Sequence, residues 1–283
     1  MSARLILNDL SLRLADKGID NPRLDANLIL QMALGIDDRI LMHHEITLSA
    51  AQQEALDRLM AWRLEGCPVS RLKGVREFYS LPFQINEDTL DPRPDSEILV
   101  EAAIAYCQTQ KDDLRIADFG TGSGCLLLSV LYQLGAAKGI GLDLAKGALA
   151  MAEHNAQNLG LADRAVFIHS DWDKALDDDA CFDVILSNPP YIAEADKDSL
   201  AIEVAGFDPH LALFGGPDGL DCYQILMPII AKRLAHNGAA FVEIGQNQQD
   251  DVQQIAEAAG LVLAAGYEDL SAIQRCLEFR KAK

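Results

Sequence analysis

The sequence is poor in basic residues: 24 lysines and arginines stand against 43 aspartates and glutamates, a formal net charge of -19 over 283 residues. So acidic a surface repels phosphate chains, so a nucleic acid bound mainly through its backbone is a poor expectation and a basic protein surface a better one. Long apolar runs are missing as well. No stretch reaches the roughly 18 uncharged apolar residues that a membrane-spanning helix needs, and no membrane partner is expected. The opening MSARLILNDLSLRLADKGID mixes acids and bases among its leucines, unlike a secretory or transit segment. The six cysteines (Cys67, Cys107, Cys125, Cys181, Cys222, Cys276) include no CxxC pair and form no cluster with histidine at metal spacing. Reduced thiols in the cytoplasm and no bound metal are the expectations. His43, His44, His154, His169, His210 and His236 likewise make no ligand motif, and internal repeats and low-complexity tracts are absent.

What is present falls into two textures. Residues 1–75 read as helices only. Leu5, Ile6, Leu7, Leu10, Leu12 and Leu14 share a helical window, Asn21 and Pro22 form a helix start, and Thr47 or Ser49 can cap a third helix carrying Leu56, Leu59, Met60 and Leu64. Residues 76–95 contain two short extended runs and a proline-bounded turn at Pro92–Pro94, and read as a linker hairpin.

From residue 96 to 283 strands alternate with helices. Strands are expected at Leu114–Phe119, Gly139–Leu142, Ala165–Ile168, Phe182–Leu186 and Ala239–Ile244, with helices at Ile98–Gln108, after Gly124, and at Gly147–Asn158, Tyr223–Leu234 and Gln248–Ala259. This predicts a parallel sheet covered on both faces. The final runs, Leu261–Gly266 and Gln274–Phe279, are joined too closely for a crossover helix and should form an antiparallel hairpin. The fold class is therefore α/β, a Rossmann-like sheet ending in an antiparallel hairpin, preceded by a small helical domain.

Two motifs carry chemistry. DFGTGSGC (Asp118–Cys125) follows the first strand and opens a helix. Gly120, Gly122 and Gly124, with Thr121 and Ser123 between them, permit a tight turn against a ligand. Asp143 closes the next strand, where a carboxylate accepts from both hydroxyls of a ribose. A nicotinamide dinucleotide would want a third glycine where Cys125 stands, and would be repelled by Asp118 at the strand tip. S-adenosylmethionine, with an ammonium group and a sulfonium on an adenosine, suits both features. In SDW (Ser170–Trp172), Asp171 can accept from an adenine amino group and Trp172 can lie against the ring, although a tryptophan here, taken by itself, is more often core.

SNPPY (Ser187–Tyr191) ends the fourth strand, on the edge where open α/β sheets bind ligands. Proline offers a carbonyl without an amide hydrogen, so Pro189 and the Asn188 side-chain oxygen make two fixed acceptors for one planar NH2. Pulling on both hydrogens enriches a delocalised nitrogen and aims its lone pair. Tyr191 can cover the planar group's face.

These motifs, together with PRPDSE (Pro92–Glu97), DPHLALFGGPDGLDCY (Asp208–Tyr223) and EIGQNQ (Glu243–Gln248), resemble the protein-glutamine methyltransferases that modify the Gly-Gly-Gln motif of peptide chain release factors. The resemblance covers almost the whole chain. It implies a helical domain that recognises the release factor, followed by a class I methyltransferase domain that converts S-adenosylmethionine to S-adenosyl-L-homocysteine. It places Gly120–Gly124 around the cofactor, Asp143 on its ribose and Trp172 beside its adenine. Asn188, Pro189, Pro190 and Tyr191 would hold the substrate glutamine as the catalytic set, with Asn188 also close to the transferred methyl. Arg93 and Glu97 match the family's box without an assigned role. Two positions depart from the pattern: Ser96, where threonine is common, and Ala272, where glycine is common, which puts the local turn in question.

The same pocket could serve a ribosomal-protein glutamine or an adenine amine in nucleic acid, and the acidic charge weighs against the latter. A cofactor-binding scaffold without catalysis would have no use for acceptors aimed at an amino group. The acidic runs DKALDDD and EADKD read as solvated loops, the second with a possible role in steering a basic partner through Glu194, Asp196 and Asp198.

Overall fold

The computed structural model describes residues 2–37, 40 and 43–282, in two compact units. The smaller comprises residues 1–74 together with 201–207. Its helices are α1 (Ala3–Ala15), α2 (Pro22–Leu34), α3 (Ala50–Leu64) and α4 (Val69–Lys73). In α1 the stripe Ala3, Leu7, Leu10 and Leu14 is buried, whereas Leu5 and Leu12 of the same window face solvent. Pro22 begins α2 and Gly35 ends it in the left-handed conformation. Ser49 is the cap of α3: its hydroxyl accepts from the Gln52 amide while Gln52 accepts from the Ser49 amide, a complete capping box. Residues 201–207, including the single-turn helix α8 (Ile202–Ala205), join this unit although they are remote in sequence. Glu203 and Asp25 both pair at 2.7 Å with the buried Arg63.

The larger unit spans residues 75–200 and 208–283. It opens with a two-stranded hairpin, β1 (Val75–Phe78) and β2 (Leu81–Gln84). Residues 76–95 thus differ from a free linker: Phe78, Leu81 and Phe83 are buried in this unit's core, because three large apolar side chains gain more from burial than from spanning solvent. Then come α5 (Glu97–Cys107), β3 (Arg115–Phe119), α6 (Cys125–Gln133), β4 (Lys138–Asp143), α7 (Lys146–Asn158), β5 (Ala165–His169) and β6 (Phe182–Ser187). After the short α9 (His210–Leu213) follow α10 (Asp221–Arg233), β7 (Leu234–Glu243), α11 (Gln249–Ala258), β8 (Leu261–Glu268) and β9 (Gln274–Lys281).

The sheet order is β5-β4-β3-β6-β7-β9-β8. The first five strands run parallel and β9 pairs antiparallel with both β7 and β8. Successive residues feed opposite faces. Ile116, Val184, Leu186 and Phe241 pack with α5 and α6, while Ala117, Ile185, Ala240 and Val242 pack with α10 and α11. This two-sided burial explains why neighbouring strand residues such as Ile116 and Ala117, or Val184 and Ile185, are both apolar rather than alternating with polar ones. β7 begins five residues earlier than expected, at Leu234; it takes in the polar His236 and Asn237, beside an irregular register between Phe182 and Val184 of β6.

Candidate active site

The chain leaves β3 for β4 and β5 on one side, then returns to place β6 on the other side of β3. The carboxyl ends of β3 and β6 therefore flank the switch point, where parallel sheets leave a crevice. A cavity of about 330 Å³ opens there, lined by loop residues after β3, β4, β5 and β6.

Gly120, Gly122 and Gly124 all have positive φ (74°, 55° and 79°), which only glycine adopts without strain. Asp143, at the end of β4, holds this turn: its Oδ2 accepts from the Gly122 amide and its Oδ1 from the Ala145 amide, both at 2.8 Å. Each oxygen keeps a second lone pair for a hydroxyl. Burial raises the Asp143 pKa, and the two amides oppose the shift. The turn is braced from below by Asn155 of α7, fully buried, whose Nδ2 donates to the Ser123 carbonyl at 2.9 Å and whose Oδ1 accepts from the Gln84 amide. α6 starts without a side-chain cap, so its first amides are open to an anionic group. Burial pushes the Cys125 thiol up to about 12, which makes it inert packing at neutral pH.

Asp118 is fully buried, and burial pushes its carboxyl up to about 7. Thr121 donates to Oδ2 at 2.7 Å, while Oδ1 has no partner. An orphaned carboxylate oxygen beside the glycine turn fits a cationic ligand group. Trp172 lines the cavity in a left-handed backbone conformation (φ 53°) and packs partly on the core.

Gly120, Thr121, Gly122, Ser123, Asp143, Trp172, Asn188 and Pro190 thus share one cavity. Gly124, Pro189 and Tyr191 are not among its lining residues: Gly124 caps α6, Pro189 is buried, and the Tyr191 hydroxyl donates to Glu243 Oε1 at 3.3 Å. Asn188 Nδ2 donates to the Ser96 hydroxyl at 3.3 Å.

The loop after β6 is held by residues of two motifs to which the sequence assigned no role. Gln248 Nε2 donates to the Tyr191 carbonyl at 3.0 Å, and its Oε1 accepts from the Gly245 amide. Gly219 has φ 79°, and a side chain there would collide with the Tyr191 carbonyl. GGPDGLD and EIGQNQ are therefore the cradle of NPPY; their glycines and amides were the visible signal. Arg93 and Glu97 also acquire places. Arg93 lines the cavity and pairs with Asp208, and Glu97 accepts from the Tyr79 amide at 2.8 Å, holding the β1–β2 turn.

The PrmC N-terminal domain family matches residues 6–74, and a methyltransferase domain family matches residues 110–260. The release factor glutamine methyltransferase of Bradyrhizobium diazoefficiens is 42% identical over 276 residues, covering 96% of this chain and 92% of the relative. The chain belongs to the release factor glutamine methyltransferase family. Its member from Rhodospirillum rubrum is 43% identical over 270 residues, covering 95% of this chain and 82% of that one. The fold has a counterpart in the crystal structure of a methyltransferase from Pyrococcus furiosus, with a TM-score of 0.52, 14% identity and coverage of 73% and 91% of the two chains. Among the described residues no helix is long and apolar enough to cross a membrane, and no cluster of His, Cys, Asp and Glu could hold a metal ion.

Proposed function

We propose that this chain transfers the methyl group of S-adenosylmethionine to the side-chain amide nitrogen (N5) of the glutamine in the Gly-Gly-Gln motif of peptide chain release factors. The observation that carries the reading is that Asn188 and Pro190 line the same cavity as the glycine turn and Asp143. Family membership supports the substrate, since the two relatives are named for release factor glutamine methylation.

In this reading Gly120–Gly124 pass close to the cofactor, Asp143 accepts from its ribose, Trp172 lies beside its adenine, and the Asp118 carboxylate favours its ammonium. S-adenosylmethionine supplies an electrophilic methyl on a sulfonium and leaves as S-adenosyl-L-homocysteine. The protein's part is positioning. Asn188 Oδ1 and the Pro189 carbonyl accept the two amide hydrogens of the glutamine, turning its nitrogen lone pair toward the methyl; Pro190 and Tyr191 keep the turn in shape. As the N–C bond forms, the C–S bond breaks and its electron pair stays on sulfur. The alkylated nitrogen is strongly acidic and gives its extra proton to water, so no strong base is needed.

The test is methylation with labelled S-adenosylmethionine of a purified release factor, with its Gly-Gly-Gln intact or with that glutamine changed to asparagine, and mapping of the product by mass spectrometry. Methyl on the glutamine of the intact factor alone is the expected result. Label on neither protein, but on a ribosomal protein or an oligonucleotide offered in parallel, would overturn the assignment.

A further inference from the structure

Three carboxylates line the cavity, Asp88, Asp143 and Asp171, and among its described lining residues there is a single cation, Arg93, which the mechanism above does not use. Its place is fixed from two directions. The guanidinium Nη2 donates to Asp208 Oδ2, on a side chain 2% exposed whose Oδ1 accepts from the Asp91 amide at 3.2 Å. At the backbone, the Ser96 amide donates to the Arg93 carbonyl at 3.0 Å, and the Ser96 hydroxyl accepts from Asn188 Nδ2 at 3.3 Å. The 3-10 turn Pro94–Ser96 therefore puts Arg93 at the NPPY end of the cavity, with all of these residues in the larger unit. Burial pushes the Tyr191 phenol above its ordinary value, and the Arg93 charge is among those that oppose the shift.

What such a group can hold follows from its charge and its spare donors. Asp208 takes one arm of the fork and balances its charge, while the side chain stays 32% exposed on a wall shared with Pro92, Pro209 and Leu211. A guanidinium carries five N–H groups, and among the described residues Asp208 is its one side-chain partner, so donors are left over. Balanced in this way, it opposes a cationic sulfonium less than a bare cation would, and it suits a neutral carbonyl better than an anion. An anion has its own place at the open first amides of α6.

A glutamine side chain brings a neutral carbonyl of this kind. Two acceptors on its NH2 leave its oxygen to be satisfied, and a carbonyl buried without a donor is costly. The oxygen also competes with the nitrogen for the methyl group, because the nitrogen lone pair is delocalised onto it. A donor on the oxygen occupies its lone pairs and fixes the plane of the amide.

We infer, on the functional reading above, that Arg93, held by Asp208, donates to the side-chain carbonyl oxygen of the acceptor glutamine, so that the site grips a primary amide at three points and turns its oxygen away from the methyl group. Asn188 and Pro189 take the two hydrogens, and Arg93 takes the oxygen.

The experiment compares the full chain with Arg93→Met and with the double variant Arg93→Met, Asp208→Asn, which leaves no buried charge unpaired and keeps an acceptor for the Asp91 amide. In both variants kcat/KM for intact release factor should fall roughly 10- to 100-fold, with S-adenosylmethionine affinity unchanged by calorimetry. The single variant should melt below the wild type and the double variant should regain the lost stability, while turnover stays low. Turnover that recovers together with the melting temperature would show that Arg93 only braces the fold, and a loss of cofactor affinity would put it on the cofactor's carboxylate; either result overturns the inference. Propanamide labelled with 13C at its carbonyl, a glutamine side chain cut down, gives a readout that needs no methyl transfer. Titrated into protein loaded with S-adenosyl-L-homocysteine, its carbonyl signal should move downfield with the wild type and less with the double variant. Should the wild type methylate no release factor, the functional reading fails and this signal still decides on Arg93: equal signals with the two proteins overturn its role.

Discussion

At the scale of single residues, the site depends on carboxylates kept where water cannot reach them. Asp118 shows the sign of the effect. Its pKa is pushed up from the ordinary carboxylate range to about 7 by burial, so between about pH 4 and 7 the folded chain binds a proton that the unfolded chain has lost. Its contribution to stability is therefore complete at low pH and is lost as pH rises through 7. Asp118→Asn has no charge to bury. In the cofactor-free protein it should melt above the wild type at pH 8, and the advantage should vanish toward pH 4. The same substitution should weaken S-adenosylmethionine binding, since the ammonium loses its counter-charge. A variant less stable than the wild type at pH 8, measured by calorimetry across that range, would show that the carboxylate is needed structurally.

At the scale of elements, turns carry the strain and strands carry the burial. The turn between β8 and β9 keeps its hydrogen bonds: Ala272 donates to the Asp269 carbonyl at 3.0 Å and the Ile273 amide donates to Asp269 Oδ1. Yet Ala272 sits at φ 59°, where a Cβ is crowded by backbone. The glycine that the resemblance leads one to expect here would lack that Cβ, and the local turn keeps its hydrogen bonds with alanine at a cost. Ala272→Gly should raise stability by about 0.5 to 1 kcal/mol with unchanged turnover, read as a higher denaturant midpoint. Most elements were legible because both faces of the sheet are covered: β3 is apolar at three of five positions and β6 at four of six, including the unbroken Val184–Leu186, and both begin and end within a residue of expectation. The early start of β7 was hidden, because His236 and Asn237 are polar and only the pairing of Leu234 with Phe182 of β6 draws this stretch into the sheet.

At the scale of the whole molecule, the acidic surface has a kinetic consequence. Glu194, Asp196 and Asp198 are exposed in the short 3-10 segment that follows NPPY. A triple exchange to Asn and Gln should slow association with a basic release-factor surface at low salt and leave it unchanged at high salt, where screening removes long-range attraction. Stopped-flow rates that are equal at low salt would remove steering from the account. The path of the chain is a second feature at this scale. After these acidic residues it enters the helical unit at residues 201–207 and then returns to the larger one at Asp208. Nothing in the composition of AIEVAGF signals that Glu203 will meet Arg63 and Asp25.

The local order of residues was enough to determine the alternation of strands and helices, the glycine turn, the missing amide hydrogens of NPPY and the acidic character. Each of these is a property of neighbours along the chain, through periodicity, missing amide hydrogens or summed charge. Only the tertiary structure decided that Asn155 would brace the glycine turn, that Gln248 would hold the Tyr191 carbonyl, that Asn188 would reach Ser96 and that Tyr191 would reach Glu243. Polar side chains of those types occur throughout the sequence. What distinguishes them is burial beside one particular partner, and burial is a property of the packed sheet rather than of any segment within it.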